Sequence, residues 1–221
     1  MNGISKFIGS AICAVAVLVA AGQVSAQNLA LNPGFETAGA NSSVAANWFT
    51  QFAGTGVAAY GIRTNDHPNS GSFDFQLHLA SDGAGPLEEL IQTGMVVSAS
   101  TAYNFSFFAD RLTGSVGDAD QYRIVWLNSG GLPIGDTGFF NFTPGNNAYA
   151  QTSRTVTSAV GTVFAEIDFH IAGAAVTNFT ATLDFDDTSF AAAVVPEPST
   201  VVLACLGLLG TIVALGRKRK S

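Results

Sequence analysis

Lysine is missing from the whole interior of this chain. Between residues 27 and 195 the only cationic side chains are Arg63, Arg111, Arg123 and Arg154, against fifteen Asp and Glu, a formal charge of −11. So acidic a stretch repels nucleic acid, whose phosphates are held by basic clusters. It also repels anionic lipid, favours solubility and attracts divalent cations. Cysteine is missing from the same stretch, because Cys13 and Cys205 both fall outside it. A disulfide framework and a thiol nucleophile are thereby excluded, and stability must come from core burial, with or without a bound ion. The three histidines, His67, His78 and His170, lack metal-ligand spacing. No Gly-x-Ser-x-Gly elbow occurs. Adjacent Glu88 and Glu89 read as an exposed acidic pair facing opposite ways on a strand, not as carboxylates acting across a glycosidase cleft. Sustained helical periodicity is absent as well. These gaps argue against an enzyme and against a catalytic cofactor.

Charge of the opposite sign is confined to the ends. Lys6 precedes an apolar run from Phe7 to Ala21, and Val24-Ser25-Ala26 places small side chains at a signal-peptidase site. Residues 1–26 therefore read as a signal peptide, with Gln27 as the first mature residue; the alternative is a retained N-terminal anchor. Cys13 lies inside the apolar run, which argues against a lipoprotein. At the other end Pro196-Glu197-Pro198 is followed by apolar sequence from Val201 to Leu215 and by Arg217-Lys218-Arg219-Lys220. Those 15 apolar residues fall short of the roughly 17–20 that a stable span needs. Extending the segment to 199–216 only just reaches that length. The basic end is expected to stay cytoplasmic and stop transfer. An ordinary C-terminal anchor is the alternative.

This three-part tail, residues 193–221, resembles the PEP-CTERM sorting signal of exported proteins in Gram-negative bacteria. The resemblance implies a transient transmembrane helix cut off by an exosortase-type membrane protease, in systems that accompany exopolysaccharide production. The product would go to the cell surface or the extracellular matrix.

Residues 27–192 suffice for one domain with a sizeable core. Short alternating runs recur within it. Phe73, Phe75, Leu77 and Leu79 alternate with Asp74, Gln76 and His78. Tyr103, Phe105, Phe107 and Ala109 alternate with Asn104, Ser106, Phe108 and Asp110. Tyr122, Ile124 and Trp126, the odd positions from Val163 to Ile171, and Ala181, Leu183 and Phe185 continue the pattern. Each run predicts an antiparallel strand with one face in the core and one in water. Turn-rich segments at 65–72, 81–86, 114–120, 128–131 and 144–147 separate them. The expectation is all-β: an eight- or nine-stranded antiparallel sandwich, flanked by a signal-peptide helix and a C-terminal transmembrane helix. Asn-Phe-Ser/Thr sequons at Asn104, Asn141 and Asn178 read as strand-edge composition.

The order of the motifs is similar to that of jelly-roll, galactose-binding-like carbohydrate-binding modules. Asn28 to Glu36 looks like their opening strand, with Trp48 following. Ile91-Gln92-Thr93 and Val96 to Asp110 look like their central region, and Asp184 to Phe190 like their closing strand, with Thr188 where Val is usual. The resemblance implies non-catalytic binding of polysaccharide, with a purely structural matrix or adhesion protein as the alternative. It also implies a structural calcium between the first and last strands, with Glu36 and Asp186 as ligands and Asp184 and Asp187 as weaker candidates, although calcium needs six to eight oxygens. Asp118 and Asp120 read as a solvated turn. Sugars stack on aromatic rings and hydrogen-bond to planar polar groups. Phe108 and Phe164, on the polar phase of their strands, and Trp48 and Tyr60, beside a Gly-rich segment, are the candidate platforms. Gln76, His78, Asn104, Arg123, Glu166 and His170 are the polar candidates beside them.

Overall fold

The computed structural model describes residues 26–53, 58–81, 87–114, 119–172 and 179–193, together with Gly207. The expected signal-peptide helix, the sorting motif Pro196-Glu197-Pro198, the membrane segment and the basic end at 217–220 lie outside the described residues. Among those described, no helix is long and apolar enough to cross a membrane. Residues 27–193 form one compact unit.

Its described residues form twelve strands: β1 (Phe49–Ala53), β2 (Ala58–Thr64), β3 (Asp74–Ser81), β4 (Leu87–Val96), β5 (Ala102–Thr113), β6 (Ala119–Leu127), β7 (Pro133–Asp136), β8 (Phe140–Asn141), β9 (Gly145–Asn146), β10 (Ala150–Thr157), β11 (Phe164–Ala172) and β12 (Phe179–Ala192). The first sheet runs β1-β4-β11-β6-β7, with β8 on β6. The second runs β10-β5-β12-β3-β2, with β9 pairing β5 in parallel. All other pairings are antiparallel. This is the expected all-β sandwich. It has more strands than the eight or nine expected, because β7, β8 and β9 are short pieces of two to four residues that carry no alternation signal.

The alternating runs supply the core. Phe75, Leu77 and Leu79 from β3, Phe105 and Phe107 from β5, and Leu183 and Phe185 from β12 face Tyr122, Ile124, Ile167 and Phe169 of the first sheet, each at most 3% exposed. Phe107 meets Phe169 edge-on at 4.7 Å and Phe169 meets Phe185 at 4.7 Å. Such contacts add about 0.5–1.5 kcal/mol each beyond area burial. In β12 the inward phase changes. Asp186 pairs with Phe108 but Ser189 with Ser106, with Asp187 at φ 48° between them. This bulge turns Phe190 into the core after the odd positions 181, 183 and 185.

Residues 27–48 form no strand, contrary to the likeness to an opening strand; the segment makes one isolated bridge, Ala38 to Ala45. It is held by its own Asn28 and by Arg63 of β2. Asn28 Nδ2 donates to the Thr188 carbonyl and Asn28 Oδ1 accepts from the Ala30 and Phe190 amides. Buried Arg63 donates to the carbonyls of Phe35, Ser42 and Glu36 at 2.5, 3.2 and 2.7 Å, with its guanidinium 3.3 Å from the centroid of the Phe73 ring.

Candidate functional site

The polar phases of the strands do not simply face water. Asp74, Asp110, Asp168, Asp184 and Asp186 point away from the core yet are 0% exposed. They fall into separate sites on the two outer faces.

On the first sheet, pairing register lays two rows of side chains across four strands. Phe49, Ile91, Asp168 and Arg123 form one; Gln51, Glu89, His170 and Gln121 form the other, extended by Asn141 of β8. Arg123 is the hinge of this surface. Its Nε donates to Asp168 Oδ2 at 2.7 Å, its Nη2 stands 4.0 Å from Glu89 Oε1, and its guanidinium lies 4.6 Å from the Phe139 ring centroid. Phe139 in turn packs on the His170 ring at 4.9 Å. Burial lifts the carboxyls of Glu89, Glu166 and Asp168 above their usual range; Asp168's charge pushes the two glutamates further up, and Arg123 opposes the rise in all three. Burial, with the Arg123 charge, pushes His170 down to about 4, so the ring is neutral near pH 7. Neither ring nitrogen of His170 has a hydrogen-bond partner, and neither does Asp168 Oδ1. Phe49 is 44% and Phe139 42% exposed, one toward each margin of the rows. The result is a strip of fixed planar donors and acceptors between two exposed aromatic rings.

On the second sheet, Asp184 pairs across from Asp110 on one side and Gln76 on the other, with Asp74 two residues along β3. The loop carrying His67 and the segment carrying Tyr149 lie over them. The two rings stack at 5.7 Å, the Tyr149 hydroxyl donates to Asp74 Oδ2, and His67 Nδ1 stands 3.4 Å from Asp110 Oδ2. Gln76 Nε2 donates to Asp184 Oδ1 and the Ala148 amide to Asp110 Oδ1. The second oxygen of each aspartate has no hydrogen-bond partner. Burial, then the charge of Asp74, pushes Asp184 up to about 7, and burial pushes Asp74 up to about 6. These groups hold protons where ordinary aspartates have lost them.

The residues proposed for calcium come together, but around amides. Asp186 Oδ2 accepts from the Asn69 and Ser70 amides and Oδ1 from the Asp187 amide, while Glu36 Oε1 accepts from Ser72 and Phe73. Gly71, at φ +64°, brings its Cα so close to Glu36 that a Cβ there would overlap the carboxylate. Five backbone donors take up Asp186 and Glu36 Oε1, only Glu36 Oε2 being left without one, and among the described residues no three His, Cys, Asp or Glu gather as metal ligands. As arranged, the pair does not fit a calcium cage.

The four expected aromatic platforms do not converge. Trp48 is a core residue, 4% exposed, stacked on Phe169 at 6.0 Å and donating its indole N–H to the Leu31 and Asn32 carbonyls. It is therefore unavailable to a ligand, because the loop of residues 27–48 folds over it. Tyr60, 41% exposed and stacked on His78 at 4.7 Å, and half-buried Phe108 are on the second sheet. Half-buried Phe164 is on the first, paired between Val96 and Leu127. Of the polar candidates, Arg123, Glu166 and His170 share the first-sheet face, while Gln76, His78 and Asn104 lie on the second sheet. Glu89 is 8% exposed, not the solvated acid expected. Phe49 and Phe139 escaped the alternation analysis. Their signal was the adjacent aromatic, Trp48 and Phe140: neighbours on an extended chain face opposite ways, so one ring of each pair points outward.

Residues 194–220 match the PEP-CTERM protein-sorting motif, which marks an exported protein handled at the membrane. No curated protein matches the chain. Among solved structures, the enzymatically active domain of tailspike protein 4 from bacteriophage CBA120 is similar at 19% identity and TM-score 0.58, over 75% of this chain and 21% of that one. A structure described as a study of promiscuous carbohydrate-binding modules of the β-sandwich superfamily is similar at 12% identity and TM-score 0.51, over 75% and 61%. An arabinose-bound α-L-arabinofuranosidase, MgGH51, is similar at 16% identity and TM-score 0.51, over 81% and 28%. This chain thus spans less than two thirds of each of these proteins. At such identities the likeness is one of fold alone, a β-sandwich.

Proposed function

We propose that the exported domain binds a polysaccharide, without cleaving it, on the outer face of the first sheet. The observation that carries this reading is the strip from Phe49 to Phe139. Pyranose rings stack by their C–H faces on exposed aromatics, and Arg123, Gln121 and Asn141 offer hydrogen-bonding groups to hydroxyls. Arg123, fixed by Asp168 and Phe139, is pre-organised, which lowers the entropic cost of binding. The sandwich resemblance supports a binding role but does not place the site. The producer's own exopolysaccharide is the proposed ligand, and an exosortase-type protease the proposed processor of the tail after signal-peptidase removal of residues 1–26. The final location is then the cell surface or matrix of a Gram-negative host.

A second reading has one specific support. Glu89, Glu166 and Asp168 are carboxyls with raised pKa on one face, a feature that glycoside hydrolysis also uses. The ion pair from Arg123 to Asp168 weighs against it. The test takes residues 27–193, measures saturable binding to purified exopolysaccharide and a glycan panel, and assays reducing ends on the same material. Binding that is lost in Phe139→Ala and Arg123→Ala, without release of reducing ends, supports the proposal. Release abolished by Glu89→Gln would replace it with hydrolysis. No binding and no release would leave a structural matrix protein.

A further inference from the structure

Three connections at one end of the sandwich, 97–101, 128–132 and 158–163, contain Val, Ser, Ala, Thr, Asn, Gly and Leu only, on a domain with a formal charge of −11. Hydrogen bonds tie these segments together: the Val97 amide to the Val163 carbonyl, the Val163 amide to Leu127, the Thr101 amide to Ser158 Oγ, and the Asn128 amide to Leu132. Together with the adjoining ends of β4 and β7 they present large apolar side chains to solvent. Val160 is 84%, Val96 67%, Leu132 65% and Ile134 40% exposed. Gly161 lies beside Ile134, so Val160 and the β6–β7 hairpin are neighbours.

The chain leaves the domain at this same end. Ala192 pairs with Tyr103, and the Ala193 amide bonds to the Ala102 carbonyl at the base of the 97–101 connection. Only residues 194–198 then separate Ala193 from the segment 199–216 read as membrane-inserted. Six Cα–Cα steps reach at most about 20 Å. The segment read as membrane-inserted is thus joined to the domain beside these connections. Elsewhere the acidic surface is repelled by anionic headgroups.

We propose that this end, formed by Val96, Leu132, Ile134 and Val160, is a lipid-contacting face that rests in the headgroup region of the bilayer while the tail is inserted. The proposal rests on the reading of the tail as a membrane segment. Four side chains alone would bind membrane weakly. Tethering makes the second contact intramolecular, so a weak surface suffices. Its contact is apolar, so it resists salt, unlike attachment through basic residues. Removal of the tail would abolish the tether and release the domain.

The test uses the full chain in phosphatidylcholine–phosphatidylglycerol vesicles carrying nitroxide-labelled lipids. Native Cys205, with Cys13→Ser, takes a fluorophore that reports insertion of the tail. Val160→Cys and Asn65→Cys, each with Cys13→Ser and Cys205→Ser, report the apolar face and the exposed β2–β3 connection. The expected result is quenching by headgroup nitroxides at 160 at least three-fold stronger than at 65, unchanged between 50 mM and 500 mM salt (about 14 Å to 4 Å screening length). Quenching at Cys205 with equal, weak quenching at 160 and 65 would overturn the docking face and leave the inserted tail standing. Absence of quenching at Cys205 would overturn the membrane reading and the docking face with it.

Discussion

Asp184→Asn should make this domain more stable as the pH rises, and by an amount the structure sets. Asp184 is fully buried, faces Asp74 and Asp110, and keeps its proton up to about pH 7, against an ordinary value of 3.8. Above pH 4 the unfolded chain releases that proton and the folded domain does not. The folded state then binds more protons, and its stability falls as pH climbs from about 4 to about 7. A rise of about 3 units corresponds to roughly 4 kcal/mol at full extent. Asparagine cannot ionise, and its Oδ1 can still accept from Gln76 Nε2. Allowing about 1 kcal/mol for imperfect hydrogen bonding, the variant gains roughly 2–4 kcal/mol over wild type at pH 8, or about 5–10 °C in Tm for a domain of this size. At pH 4 the two should nearly coincide. His170 tilts the wild-type curve the other way: its pKa is depressed to about 4, so its contribution is present above 6.5 and lost as pH falls toward 4. The informative quantity is therefore the difference between variant and wild type, followed by denaturant or thermal unfolding from pH 4 to 8. A difference that stays constant, or that turns against the variant at high pH, would refute the account of the buried aspartates.

Arg63→Met removes three hydrogen bonds to the carbonyls of Phe35, Ser42 and Glu36 and leaves those acceptors unpaired; a loss of about 3–5 kcal/mol by urea unfolding is expected. Arg63→Lys should recover less than half, since one ammonium cannot reproduce the fork, and full recovery would show that charge alone suffices. Trp48→Ala should cost about 3–5 kcal/mol while leaving glycan affinity per folded molecule unchanged; selective loss of affinity would restore Trp48 to the binding site. Chelation should leave Tm unchanged, because amides already satisfy Glu36 and Asp186. A fall of several degrees that calcium reverses would mean the 69–73 segment opens to admit a cation. Phe139→Ala should weaken polysaccharide binding at least ten-fold with Tm shifted by less than about 3 °C, as expected of an exposed ring.

The sandwich was legible because its core strands obey a period of two over five or more residues. Phe105, Phe107, Leu77, Leu183 and Ile167 all lie where alternation puts them. Legibility failed where the chain breaks that period. The bulge at Asp187 reverses the phase of β12, so Phe190 could not be placed by extending the run from Ala181. Asn28 to Glu36 look like an opening strand only by resemblance to a family motif, yet Asn32 and Phe35 within that span adopt positive φ. The segment 27–48 is shaped by its own Asn32, which bonds the Thr37 and Ala46 carbonyls, and by Arg63, which reaches its carbonyls from β2; no alternation pattern encodes such bonds.

The site was less legible than the fold, for a reason specific to sandwiches. Alternation separates inward from outward but does not say which outward residues share a sheet. Arg123, Glu166 and His170 were recognised as polar-phase residues, as were Gln76, His78 and Asn104. Only the topology, with β11 between β4 and β6 and β12 between β5 and β3, assigns the first three to one face and the others to the opposite sheet. The same topology explains why outward acids are not solvated. Arg123 holds Asp168 down from the neighbouring strand, and the His67 and Tyr149 segments close over Asp74, Asp110 and Asp184. An acidic composition that reads as solubility thus conceals two kinds of carboxyl: exposed ones that keep the domain in solution, and buried ones whose protons make its stability depend on pH. The variant at Asp184 tests the second kind directly.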